Sequence, residues 1–293
     1  VFPDLLRTDA SPLTNGHLLG TDSQGHDVLG GLIYGARTTL LVSVPATLLA
    51  TALGMLVGGA AGFWGDTGLR VPRFTLLTSS GAALLYLTIG APAASLAAIW
   101  WPMLLSASVA GAALLARGRA LQQTVAIPVD TFVSMGIVAL AALPRLVLVL
   151  VAAAATEPNT TTVIALLVLV SWPGPARLMR AETRRIQQLP YLEAGRALGL
   201  PTSRLLLQHI LPNCWRVLRT SLPITVAALV GLETTLSFLG IGLPPELPSW
   251  GRILAASRLS PASWWLIVFP VFALLLTMLA IRQVLSASED QYN

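Results

Sequence analysis

The sequence contains no lysine; all 18 basic residues are arginine. A Walker A phosphate loop requires Gly-Lys-Ser/Thr, so this chain has none, and any use of ATP falls to another chain. One cysteine, Cys214, excludes an internal disulfide. Three histidines, His17, His26 and His209, lie far apart with neither HExxH nor CxxC spacing. No metal site is expected from them. Charge is scarce at 11%, against about 25% in soluble globular chains. The net charge of +5 is small, and on an apolar chain such an excess signals membrane orientation rather than nucleic-acid binding.

What remains is apolar. Hydrophobic residues make up 55% of the chain and the mean hydropathy is +0.74. Long runs of this kind predict an all-α polytopic membrane protein lying in a lipid bilayer. Residues 1–37 are polar and turn-rich, and read as an extracytoplasmic segment. A transmembrane domain follows over 38–285, and 286–293 form a short polar cytoplasmic tail. Within the domain, spans are expected near 38–63, 131–155, 161–172, 222–241 and 264–285. A further pair of apolar segments, 74–90 and 95–116, reads as a hairpin. Gly54, Gly58 and Gly62 fall four apart, a spacing that lets another helix approach closely.

Arginine counting orients these spans. With residues 177–219 on the cytoplasmic side, that side also holds Arg70, Arg73, Arg117 and Arg119 beside the eight arginines of the block itself. The other side holds Arg7, Arg37, Arg252 and Arg258, an imbalance of roughly three to one, as the positive-inside rule expects. Val1 then lies outside with no signal peptide, which predicts a missing upstream span.

The polar block 177–219 contains EAGRALGLPTSRLLLQHILPN, from Glu193 to Asn213. Pro190 suits the first turn of a helix. Gly199 suits a left-handed C-terminal cap, and Pro201 prevents simple continuation. Thr202 or Ser203 is expected to cap a second helix through Leu211, disturbed at its end by Pro212. The result is a helix–turn–helix lying on the membrane surface. Ala194, Gly195 and Ala197 offer a small face for a partner, while Glu193 and Arg196 offer charge. The composition fits equally an interfacial helix resting on lipid head groups.

EAGRALG followed by HILPN closely resembles the cytoplasmic EAA loop of ABC importer permeases, with Gly195 in place of the family's third alanine. LGTDSQGHDVLGGLIYGAR at 19–37, VSWPGPARLMR at 170–180 and LSFLGIGLPPELPSWG at 236–251 resemble three further blocks of the dipeptide/oligopeptide/nickel permease family, in the same order. His26 stands where that family has arginine. The resemblance implies a type I ABC importer transmembrane domain, with the hairpin at about 70–124 as an extra insertion. It implies a location in the bacterial inner membrane and three kinds of protein partner: a second permease, two ATP-binding cassette subunits that hold ATP and Mg, and an extracytoplasmic binding protein. The chain itself binds no cofactor in this reading. Tyr191, Glu193, Ala194, Gly195, Arg196, Ala197, Gly199 and Pro212 become the ATPase-coupling residues, with Glu193 the leading charge contact and Arg196 beside it. Peptides are the expected cargo, with nickel or another metal chelate, or another small solute, as alternatives.

Glu233 falls near the middle of a predicted span, where a carboxyl needs a partner or a purpose. Arg145 lies at comparable depth, and the two are expected to pair. Tryptophans at 100–101, 172, 250 and 264–265 read as interfacial anchors, with ligand stacking a lesser option for Trp250. A stand-alone secondary transporter would need several mid-depth coupling groups or repeats, and Glu233 alone supplies little. No nucleophile–base pair or metal spacing supports an intramembrane enzyme. An inert assembly scaffold remains the third rival.

Overall fold

The computed structural model describes residues 8–14, 16–72 and 124–290. The chain divides into two compact units, Val1–Gly62 with Ser134–Asn293, and Phe63–Val133. The segments predicted at 74–90 and 95–116, including Trp100 and Trp101, lie outside the described residues.

Helix α1 (Val28–Trp64) starts well before the apolar run, because Asp27 caps it. One Asp27 oxygen accepts the Gly30 N–H at 2.7 Å, and the other meets His17 Nδ1 at 2.9 Å. The preceding segment is folded around Thr21 and Asp22. Asp22 accepts the backbone N–H groups of Gln24 and His26 at 2.9 and 2.8 Å. The Thr21 carbonyl accepts the Trp265 indole N–H at 3.1 Å, tying this cap to the start of the last helix.

Beyond α1, strands β1 (Arg70–Pro72) and β2 (Thr124–Ala126) pair antiparallel, with Pro72 opposite Thr124. Asp66 accepts both the N–H and the hydroxyl of Thr131, at 2.9 and 3.0 Å. The chain therefore leaves and returns at adjacent points. Two-residue Asn-Gly loops close such antiparallel pairs, so replacing residues 73–123 by Asn-Gly is expected to leave the polar block on its original side. Reporter fusions at the C-terminus and at residue 200 would check this; a flipped reporter would show that the excursion sets topology.

The span predicted over 131–155 is two helices, α2 (Val129–Ala142) and α3 (Arg145–Ala154), bent by 84°. Pro144 has no N–H to donate and its ring opposes a continuous helix. Helix α4 (Thr160–Ser171) is capped by Asn159, whose side chain accepts the Thr161 N–H at 3.0 Å. It turns by 41° at Trp172 into α5 (Pro173–Gln187). Thus the first part of the polar block is a helical extension of a span. Then come α6 (Pro190–Ala197), the short turn α7 (Thr202–Arg204), a π-helical turn over Leu205–Ile210, and α8 (Leu211–Phe238). Helix α9 (Trp250–Ala256) lies beyond a proline-rich loop, and α10 (Trp265–Asp290) ends the described chain. α10 runs on to Asp290, into the residues predicted as a tail.

Among the described residues, α1, the run Thr202–Phe238 and Trp265–Gln283 are each long and apolar enough to cross a membrane, and the two bent pairs raise the total to five. Val42 and Ala46 of α1, Val163 and Leu167 of α4, and Leu229 of α8 form one buried cluster with Leu243. Val149, Val170 and Leu236 form a second, joining α3, α4 and α8.

Two expectations about the polar block change. Pro201, not Thr202 or Ser203, occupies the cap of α7, and no side chain caps it. Pro212 does not end a helix; the helical run continues from 202 to 238. The wider π turn sits where the Pro212 ring would press on the carbonyl one turn back. The Asn213 amide donates to the His209 carbonyl at 2.6 Å, supplying a donor beside the one that proline lacks.

Candidate functional site

Helix α6 is bounded by backbone chemistry at both ends. Pro190 opens it. At its end Gly199 takes φ +73°, a region where glycine has no Cβ penalty. The Leu200 N–H reaches the Gly195 carbonyl at 3.1 Å and the Gly199 N–H reaches Arg196 at 3.0 Å. This pair of bonds is a Schellman stop. It limits α6 to eight residues.

One side of α6 is buried and the other is open. Leu192 and Gly195 are buried, and a Cβ at Gly195 would sit 3.1 Å from Leu205. Glycine at this position therefore sets how closely α6 rests on the π turn. Glu193, Ala194 and Ala197 are exposed, as is Leu198 just beyond the helix. The Glu193 carboxylate meets no partner among the described residues. Arg196, expected to offer its charge outward, is turned onto its own chain, where it donates to Gln187 Oε1 at 3.1 Å. Tyr191 stacks at a tilt against His209, with ring centroids 6.2 Å apart, and its hydroxyl accepts from the Asn213 amide at 3.5 Å. The two halves of the motif, EAGRALG and HILPN, thus meet in space through Tyr191, His209 and Asn213.

The glycine stripe of α1 lies against α5. A Cβ at Gly54 would stand 2.7 Å from Pro175 Cβ. One at Gly58 would collide with the Ala176 carbonyl oxygen, and one at Gly62 would stand 2.8 Å from the Arg180 carbonyl oxygen. Backbone meets backbone along this seam, so the first span and the basic helix leading to α6 are in direct register.

The ion pair expected between Arg145 and Glu233 is not formed. Pro144 breaks the predicted span, so Arg145 becomes the exposed first residue of α3 instead of a mid-helix residue. Glu233 is fully buried and has different partners. Thr39 of α1 donates to one oxygen at 3.1 Å and Ser237, one turn along α8, donates to the other at 2.8 Å. Hydroxyl donors satisfy the carboxyl without a cation.

In the segment expected on the arginine-poor side, Arg252 organises the loop before α9. Its guanidinium donates to the carbonyls of Leu247 at 2.8 Å and Pro244 at 3.0 Å, and to that of Pro245. Burial lowers its pKa from the ordinary guanidinium value, opposed by the charges of Glu246 and Glu233. Trp250 is buried, with its indole N–H on the Leu32 carbonyl at 2.9 Å. Neither interfacial anchoring nor ligand stacking is open to it. Trp265 is likewise buried, while its neighbour Trp264 is 54% exposed and free to anchor. A cavity of about 540 Å³ opens here, lined by Asp22, His26, Asp27, Glu246 and Arg252 among others.

Residues 103–290 match the family of binding-protein-dependent transport system inner membrane components. The chain belongs to this family. It is a multi-pass permease of the bacterial inner membrane, and its fold is mostly helical. A Brucella suis biovar 1 (strain 1330) chain, provisionally named a peptide transport system permease protein, is 29% identical over 269 residues, covering 92% of this permease and 70% of that chain. The dipeptide transport system permease protein DppC of Bacillus subtilis (strain 168) is 27% identical over 282 residues, covering 95% and 69%. Among solved structures, an inward-facing form of the MetNI methionine ABC transporter superposes with a TM-score of 0.48 at 15% identity, covering 88% of this permease and 96% of that chain. As a permease of an ABC transporter, the chain works with ABC transporter partners.

Proposed function

We propose that this permease pairs with a second permease to line the translocation pathway of a peptide importer, and that α6 is the element its ATPase subunit grips. ATP and Mg belong to two cassette subunits; an extracytoplasmic binding protein delivers cargo to the arginine-poor face. The observation that carries this reading is the shape of α6. It is a short helix stopped by a Schellman turn, seated on the π turn by Leu192 and Gly195, with the Glu193 carboxylate left open to a partner. A helix resting on lipid would turn its whole apolar face outward; α6 seats Leu192 inward and holds the Tyr191 ring against His209, and exposes Glu193, Ala194 and Ala197 with Leu198 at its cap. Peptide cargo is supported by the names of the Brucella and Bacillus relatives.

Pull-down of the cassette subunits by the tagged permease tests the assignment. Glu193→Ala is expected to weaken recovery about tenfold, the effect of losing ~1.4 kcal/mol. Gly199→Val is expected to do worse, because a left-handed backbone costs a non-glycine residue about 1–2 kcal/mol and the Schellman stop goes with it. Normal recovery with both variants would place the ATPase contact elsewhere. Accumulation of a mixed dipeptide and tripeptide pool by proteoliposomes, dependent on ATP and on the cassettes, tests the cargo class.

A further inference from the structure

We infer that Gln187 is a positioning residue that links α6 to the end of the first span, so that a pull on α6 reaches α1 as well as α5. The inference rests on the proposed role of α6. Gln187 is the last residue of α5 and is half-buried. Its Oε1 accepts from the Arg196 guanidinium of α6 at 3.1 Å, and its Nε2 donates to the Gly62 carbonyl of α1 at 3.1 Å. The partners dictate which way the amide points: a guanidinium only donates and a carbonyl only accepts. The Gly62 carbonyl is available because it lies in the last turn of α1, where carbonyls have no partner inside the helix.

The link sits where movement would otherwise be lost. Leu189 separates α5 from α6 in an extended conformation, φ −78° and ψ 137°, with Gln188 before it. A pull along the chain alone would reach α5 through this joint and reach α1 only through side-by-side packing. The amide bypasses the joint. At its far end, the Gly62 contact with Arg180 and Thr183 closes the glycine seam. From there α1 carries the displacement to Thr39 and its hydrogen bond to Glu233 of α8. A single amide suits this task because it accepts on one atom and donates on the other, which no carboxylate does.

The linkage is in series, so breaking either bond is expected to cost as much as breaking both. In proteoliposomes holding the complete transporter, with its binding protein and a mixed dipeptide and tripeptide pool, the readout is peptide accumulated per ATP hydrolysed. Gln187→Ala is expected to lower this ratio at least about fivefold, the low end of coupling between distinct sites. Gln187→Glu keeps an acceptor for Arg196 but cannot donate to Gly62 when ionised, and is expected to match Gln187→Ala. Arg196→Ala is expected to match it too, and the double variant Arg196→Ala/Gln187→Ala to be no worse than either single one. The exposed neighbour substitution Gln188→Ala is expected to leave the ratio unchanged. A wild-type ratio in Gln187→Ala or Gln187→Glu, or additive losses in the double variant, would overturn the linkage while leaving the importer reading intact. An unaltered complex that accumulates no peptide would instead overturn the importer reading itself.

Discussion

Replacing Gly58 with leucine is expected to remove the folded permease from detergent extracts, and Gly58→Ala to lower its thermal midpoint sharply. The reason is the position of the missing Cβ. Built on this backbone it would collide with the Ala176 carbonyl oxygen and fall 2.8 Å from the adjoining carbonyl carbon and Cα. These neighbours are backbone atoms in the first turn of α5, so no side-chain rotation relieves the overlap. The whole helix has to retreat, and Gly54 and Gly62 retreat with it. Overpacking in a well-packed interior costs about 1–3 kcal/mol for small additions. The cost weighs more here because helices in lipid associate through close van der Waals contact, without a hydrophobic drive between them. Gly174→Ala is the matched control: it lies in α5 itself, and a Cβ there meets nothing within 4 Å. Monodispersity on size exclusion and the thermal midpoint of purified protein decide the matter. Equal stability of Gly58→Ala and Gly174→Ala would refute the backbone-on-backbone seam.

Glu233→Leu is the second large effect expected, and it should be reversible by further substitution. Thr39 and Ser237 both donate to this buried carboxyl. Leucine leaves two hydroxyls without an acceptor, at about 1–3 kcal/mol each. Glu233→Gln keeps one oxygen, and each hydroxyl can rotate to accept from the amide, so its loss should be smaller. Adding Thr39→Val and Ser237→Ala to Glu233→Leu removes the orphaned donors along with the acceptor. Such matched apolar replacement is often close to neutral, so the triple variant should regain most of the lost thermal midpoint. If the midpoint recovers but ATP-driven uptake does not, Glu233 contributes more than a bond between α1 and α8. A triple variant as unstable as Glu233→Leu alone would show that the hydroxyl partners are not what the carboxyl satisfies.

Much of the polar block around α6 was readable in the chain because its signals are local. Proline at 190 and glycine at 199 act on their own backbone within one turn, so the limits of α6 follow from residue type. The close glycine spacing in α1 likewise announces a seam, since only an approaching helix makes use of the missing Cβ. What the seam touches was not readable, because Ala176 and Arg180 lie more than a hundred positions away and carry no matching mark. Gln187 was passed over for the same reason: a glutamine at the end of a basic helix looks like an ordinary solvated residue until Arg196 and the Gly62 carbonyl are both beside it.

The pairing of Arg145 with Glu233 shows where sequence depth fails as a guide. Both residues sit at similar counts along apolar runs, which assumes straight helices. Pro144 turns one of those runs through 84° and carries Arg145 to an exposed helix start. Hydropathy integrates over a window and does not register a break in direction. The same blindness made Trp250 look like a surface anchor, when a bond to the Leu32 carbonyl holds it inside.

Composition alone marked this chain as one that lives in a membrane, because charge is scarce and apolar residues make up 55% of it. Local pattern determined most of the spans and the eight-residue element between Pro190 and Ala197. Only the tertiary structure decided which groups meet: Glu233 with two hydroxyls, Arg196 with Gln187, and Gln187 with the last turn of α1. Hydrogen bonds of about 3 Å depend on relative helix positions that no periodicity encodes. Those positions are set by packing summed over the whole bundle.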